Sequence, residues 1–322
     1  MIRLLLAKTE LSVRIGSVSS RQFKTNVGTP QGDSLSPLLF VVYLEAALRD
    51  LRTFYNDSIT EIAYADDVDF ASDNIDDLIH LLNNSPRVLN KWFLIINTSK
   101  TELTEIKRMD TRIGETWRNA NKLGSQHGDS EDISRRKMLA TAALSRIRKK
   151  WLQAWPINRA LRSRLYNAFV KPVLLYNSST WGISDTELKT IDSFHRKQLR
   201  LLHGIHWPSK INNLSLYKHY DATPLSQEIV GGRWKLFGHI LRMDPRAPAN
   251  RAMDDYFSEH GDKYRGRPRS TLPAVLERDL KLHGKSFKNW DDLESLRDLA
   301  RNRGAWTRMV QKIVSLVTRV GL

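Results

Sequence analysis

TEIAYADDVDFA, residues 60–71, sets two short β-rich runs, Thr60–Ala65 and Val68–Ala71, on either side of Asp66-Asp67. Branched and aromatic residues favour extended chain, and a polar pair between two such runs marks a reversal, so the stretch predicts a tight hairpin. Two carboxylates on a rigid hairpin facing an open groove suit chemistry on phosphates. Such chemistry uses two divalent cations about 3.5–4 Å apart, and hard oxygen ligands favour Mg2+. The plainer alternative is an ordinary β-turn, in which Asp is common.

Outward from this hairpin, the N-terminal side reads as strands and turns. LSVRIG and RQFKTNV flank Gly16-Ser17 as a further hairpin, and Gly28-Thr29-Pro30 is a loop signal. A helix follows over Leu38–Leu51, with Leu38, Val41, Val42, Ala46 and Leu48 at helical spacing. Gln31-Gly32 lies at its start, where amide groups can face phosphate and Gly allows close approach; Asp33 or Ser34 can equally cap the helix. Beyond the hairpin, Ile75–Leu89 predicts a helix capped by Ser72 or Asp73, and Phe93–Ile96 and Leu103–Ile106 are strand-like.

After about residue 125 the pattern turns helical. Ile133, Leu139, Ala143, Ile147 and Trp151 repeat at helical spacing behind Asp129 or Ser130 as the cap, and Pro156 ends the run. Further helices are expected over Arg159–Tyr176, bent near Pro172, from Asp185 to about Leu202 with Gly204 as the stop, and across 210–245. Residues near 261–270 form a polar linker, and helical patterns return around Ala274–Leu282 and Leu293–Val317. The fold class is α+β. The division is 1–125, mixed; 126–208, helical; and 209–322, basic and helical. His195, His203 and His206 raise a metal question, but Gly204 and Pro208 interrupt their common face, which favours capping and packing.

The chain carries a net charge of +16, and it is unevenly spread: residues 1–120 hold 14 Lys/Arg against 16 Asp/Glu, and residues 121–322 hold 37 against 19. A basic folded region attracts polyanions by releasing their counterions. Cysteine is absent, which excludes disulfides, Cys-ligated zinc and zinc knuckles, and fits an intracellular protein. No apolar run reaches the ~18 residues of a membrane span, and the opening MIRLLLAKTE is a poor signal peptide.

The order of motifs says more than any one of them. GTPQGDSLSP (28–37) precedes YADD (64–67), then NTSKTE (97–102), then KLGS (122–125). In this order the chain resembles reverse transcriptases of non-LTR (LINE-type) retrotransposons. LYNAFVKPVLLYNSSTW (165–181), FHRKQLRLLHGIHW (194–207), PLSQEI (224–229) and GHILRM (238–243) are similar to segments that follow the palm in that family. RGRPRSTLPAVLERDLK and LRDLARNRGAWTRMV resemble its tail. The resemblance implies a partial polymerase palm over 1–125, a helical thumb over 126–208 and a basic C-terminal region over 209–322. It implies RNA-directed DNA synthesis with an RNA template, a DNA primer, deoxynucleoside triphosphates and Mg2+, in the nucleus or a cytoplasmic ribonucleoprotein, without a membrane.

Residue by residue, the resemblance makes Asp66 the direct metal ligand and Asp67 its support. Gln31 and Gly32, with Tyr64 and Ala65, would lie against template base and incoming nucleotide, and Lys100 near the leaving pyrophosphate as a general acid. Leu123 and Gly124 would form the primer grip, although the family more often has an aromatic or aliphatic residue where Lys122 stands. Arg135, Arg136, Arg146, Arg148, Lys149 and Lys150, beside Trp151 and Trp155, would hold duplex phosphates; on the bland reading they are a wet helix face. Arg265, Arg267 and Arg269 suit a nucleic-acid backbone or a solubilising linker equally. The family's bridging aspartate lies on a strand upstream of GTPQGDSLSP, where Glu10 is the one acid before Asp33 and its setting, LAKTELS, does not match. The fingers and an endonuclease domain are likewise not among these residues. Little synthesis by these residues alone is therefore expected. The rival readings are a catalytically silent nucleic-acid-binding remnant and a protein-interaction scaffold.

Overall fold

The computed structural model describes residues 10–24, 28, 32–107, 114–152, 157–258, 270–285 and 287–321. The chain divides into two compact units, Met1–Leu103 and Thr104–Leu322. In the first, strands Thr60–Tyr64 and Asp67–Ala71 pair antiparallel with Ala63 opposite Val68 and Glu61 opposite Phe70. The period of two turns Val68 and Phe70 toward the helices and Asp67 and Asp69 to the other face. Leu48 and Leu51 of helix Ser36–Leu51, Ile59, and Leu81 and Val88 of helix Ile75–Lys91 form the core on which Val68 and Phe70 pack. Pro37 in the first turn suits a helix start, since its missing N–H has no intrahelical partner there. Asn74, rather than Ser72 or Asp73, caps the 75–91 helix by accepting the Asp76 N–H at 3.0 Å; Ser72 instead holds the Asn74 amide. Upstream, Glu10–Leu11 pairs with Phe23–Lys24, and Arg14–Ile15 with Val18–Ser19 across Gly16-Ser17.

Phe93–Ile96 and Leu103–Ile106 are not strands. Their apolar side chains Phe93, Ile95, Leu103 and Ile106 are exposed. β-propensity needs a neighbouring strand to satisfy the backbone, and among the described residues neither segment has one.

Among its described residues the second unit has one hairpin, Asn121–Lys122/Ser125–Gln126, and is otherwise built of helices and their connections. The helices are Asp129–Ile147, Arg159–Phe169, Lys171–Leu174, Asp185–His203, Asn213–His219, Leu225–Leu241, Pro248–Ser258, Leu272–Lys281, Trp290–Arg301 and Arg303–Gly321. The expected 159–176 helix breaks at Val170, just before Pro172. A Ser184–Glu187 capping box opens the 185–203 helix, and Gly204, with φ +69°, closes it. One apolar core runs from Ile133 through Trp234 and Phe237 to Ile313, so 126–208 and 209–322 bury their faces together. Fully buried in it, Arg233 pairs with Asp279 at 3.1 Å and donates to the Trp181 carbonyl, while Trp234 Nε1 donates to Asp279. Among the described residues no helix is long and apolar enough to cross a membrane.

Candidate functional site

The turn of the 60–71 hairpin is Ala65-Asp66; Asp67 is the first residue of the return strand, opposite Tyr64. The two acids therefore share the tip but not the turn, a shift of one residue from the sequence pattern. Ala65 has a φ of +53°, a left-handed conformation that disfavours any side chain by about 1–2 kcal/mol. Strain of this kind persists where the surrounding pairing imposes it, and it gathers at functional sites. Tyr64, Ala65, Asp66 and Asp67 are exposed. Among the described residues no hydrogen bond or ion pair occupies either acid, so both are available to an external cation.

On the core side the hairpin is held firmly. Arg52 bridges Glu45 and Glu61, at 2.8 and 2.6 Å, and the Tyr55 hydroxyl donates to Glu61 at 2.6 Å. These bonds hold the Glu45 carboxyl down at about 2, through Arg52 first and Arg49 second. The strands are thus fixed on one face while the acids stand free at the end.

Gly32 is exposed with a φ of +89°, so this position suits glycine and strains any other residue. Gln31 lies outside the described residues. The Asp33 carboxylate, which the sequence offered as a cap, accepts from Ser36 Oγ at 3.3 Å, and no side chain caps the helix. Lys100 sits on the exposed Asn97–Lys100 turn, its amide donating to the Asn97 carbonyl at 3.0 Å. Among the described residues nothing joins it to Asp66 or Asp67. The same is true of metal ligands in general: no group of three His, Asp or Glu residues gathers in an arrangement that could hold an ion. Asp66 and Asp67 fit part of one hard cation's shell and do not make a two-ion site on their own.

In the second unit, Leu123 and Gly124 form a two-residue turn, both with positive φ (46° and 81°), as the twist of a tight hairpin demands. Residues of the 129–147 helix and of the turn at 175–177 brace it. Tyr176 OH donates to the Leu123 carbonyl at 2.7 Å; Arg135 donates to Asn121 Oδ1 at 2.7 Å and to the Gly124 carbonyl. Arg136 donates to the Gly124 carbonyl and to Ser125 Oγ at 2.9 Å, and its guanidinium lies 4.4 Å from the Tyr176 ring centre. Asp132 accepts from the Gln126 amide at 3.1 Å and from Trp181 Nε1 at 3.0 Å.

Arg136 is only 5 % exposed. The expectation that it grips phosphate gives way to a bracing role, because its guanidinium is buried, bonded to Gly124 and Ser125 and paired with Asp132 at 3.4 Å. Sequence spacing could not separate it from Arg135, which faces the hairpin edge. Tyr176, Asp132 and Trp181 were not singled out for the hairpin by the sequence, and no local motif announces them.

Arg146, Arg148, Lys149 and Lys150 are exposed, the last three in a π-helical turn, Arg148–Leu152, that extends the 129–147 helix. Trp155 and the Arg265, Arg267 and Arg269 segment lie outside the described residues. His195 is buried with its ring 5.6 Å from Tyr166 and 5.9 Å from Tyr217, and His203 stacks on Tyr220 at 3.6 Å. Both are packing residues.

No curated protein and no solved structure matches the chain. Residues 1–130 match a family model, that of reverse transcriptase (RNA-dependent DNA polymerase), and this stretch contains both site hairpins together with Gly32 and Lys100.

Proposed function

We propose that the chain is a reverse transcriptase segment of a non-LTR retrotransposon, acting in RNA-directed extension of a DNA primer. What carries this reading is the 60–71 hairpin: two unengaged acids at a strained tip, within residues that match reverse transcriptase. In the proposal Asp66 binds the cation that supports phosphoryl transfer and Asp67 supports it. Gln31, Gly32, Tyr64 and Ala65 border the nucleotide and template, and Lys100 supplies a proton to the leaving pyrophosphate. Leu123 and Gly124 hold the primer end, and Arg146, Arg148, Lys149 and Lys150 meet the nucleic-acid backbone. Mg2+ is the fitting cation by the hardness of its ligands.

Because no third carboxylate joins Asp66 and Asp67 among the described residues, these 322 residues alone should bind template–primer and extend it poorly. The same observation favours a second reading, a nucleic-acid-binding remnant without catalysis. Primer extension with Mg2+ on the purified chain, beside Asp66→Ala, tests both. The proposal expects slow incorporation that Asp66→Ala abolishes while duplex affinity stays within about twofold. Incorporation that survives Asp66→Ala would refute the assignment, and binding with no incorporation at all would favour the remnant.

A further inference from the structure

Between Asp132 and Asp185 the chain has no acidic residue and eleven Lys or Arg. The helix Asp129–Ile147, the π-helical turn and the helix Arg159–Phe169 place six of them, Arg146, Arg148, Lys149, Lys150, Arg159 and Arg164, at the exposed surface. Lys171 of the same stretch pairs with Glu228 at 3.0 Å, but among the described residues none of these six cations forms an ion pair with a carboxylate. Within the same elements Trp151 and Phe169 meet edge to face, ring centres 5.7 Å apart, and remain 41 % and 51 % exposed. The neighbouring Leu152 is buried. The π turn thus anchors the chain through Leu152 and leaves Trp151 half in water, and turns of this rare kind often mark functional sites.

We propose that this face binds unpaired nucleic acid, with the Trp151–Phe169 pair as a stacking surface for a base and the surrounding cations as the track for its phosphates. Cations alone would serve a duplex equally well. The exposed aromatic pair adds affinity only where a base is unstacked and can lie on a ring, which a paired strand does not offer. An acidic peptide or a lipid headgroup would satisfy the charges but leave the rings without a matching partner. The inference does not depend on Asp66 being catalytic, and failure of the extension assay leaves it standing.

Fluorescence anisotropy on the full chain, with a labelled short oligothymidylate and a blunt duplex of equal length across a salt series, tests it. Trp151→Ala should weaken the single strand on the order of tenfold and the duplex by less than about twofold. The double variant Lys149→Ala/Lys150→Ala should reduce the salt slope for the single strand by about 1.4. Equal losses for single strand and duplex, no loss for either, or full competition by anionic vesicles would each overturn the proposal. Should Trp151→Ala lose its far-UV circular dichroism, the unaltered chain irradiated with a 5-bromodeoxyuridine oligonucleotide decides. A crosslink at Trp151 or Phe169 supports the platform, and crosslinks confined to other residues refute it.

Discussion

His195 shows how a residue's surroundings override its reputation. Burial, then the charges of Lys171 and Arg196, push its imidazole down to about 3, and burial pushes His203 down to about 4. A base kept neutral in the fold binds fewer protons there than in the unfolded chain, where it titrates near 6.5. Its contribution to stability is therefore complete above pH 6.5 and lost as pH falls toward the folded values. Asp129 works in the opposite direction: burial raises it from 3.8 to about 6, so its contribution is present below pH 3.8 and lost as pH rises through 6. His195→Phe should leave the urea midpoint at pH 7 nearly unchanged and remove about 1–3 kcal/mol of the loss between pH 7 and about pH 4.5. An unaltered pH profile would show that His195 is not the buried neutral group described. The sequence raised a metal question for these histidines, and Gly204 and Pro208 already favoured packing, but it did not name the packing partners. Stacking on Tyr166 and Tyr220 comes from helices distant in the chain, and no local pattern records it.

At the scale of elements, the two site hairpins have different supports. The 60–71 hairpin rests on apolar strand residues and on Glu61, whereas the 121–126 hairpin is tied by polar bonds to residues as far along as Tyr176, and through Asp132 to Trp181. Tyr176→Phe removes one neutral hydrogen bond to an exposed turn, a change of about 0.5–1.5 kcal/mol. Amide exchange within 121–126 should speed by about 2–10-fold while the rest of the unit keeps its protection. Unchanged exchange there would mean that the tyrosine does not brace the hairpin.

Elements with strong local signals were readable: the alternation around Asp66, the Gly16-Ser17 reversal, and the 185–203 helix ending at Gly204. The exact turn at Ala65-Asp66 was not, because Ala gives no warning that it will accept a positive φ. Phe93–Ile96 looked like a strand because propensity reports side-chain shape and says nothing about whether a partner strand is present.

At the scale of the whole molecule, the exposed acid pair and the excess of basic charge belong to different units. Asp66 and Asp67 belong to the Met1–Leu103 unit, and the basic stretch 133–184, which holds no Asp or Glu, belongs to Thr104–Leu322. The sequence displayed that charge imbalance but not the single core that unites residues 126–322, which depends on pairings such as Arg233 with Asp279. Removing one partner of a buried pair leaves the other charge uncompensated, so Asp279→Ala should destabilise the second unit by about 3–5 kcal/mol. Thermal unfolding followed by tryptophan fluorescence reports it, and a loss under about 1 kcal/mol would show the pair to be marginal.

The central claim, that the 60–71 tip is a cation-binding polymerase hairpin, is most directly tested by paramagnetic broadening of amide NMR signals with Mn2+ in place of Mg2+. The account predicts weak binding with broadening centred on residues 64–68 and lost in Asp66→Ala. Broadening spread evenly over the acidic surface, or none at the tip, would contradict it.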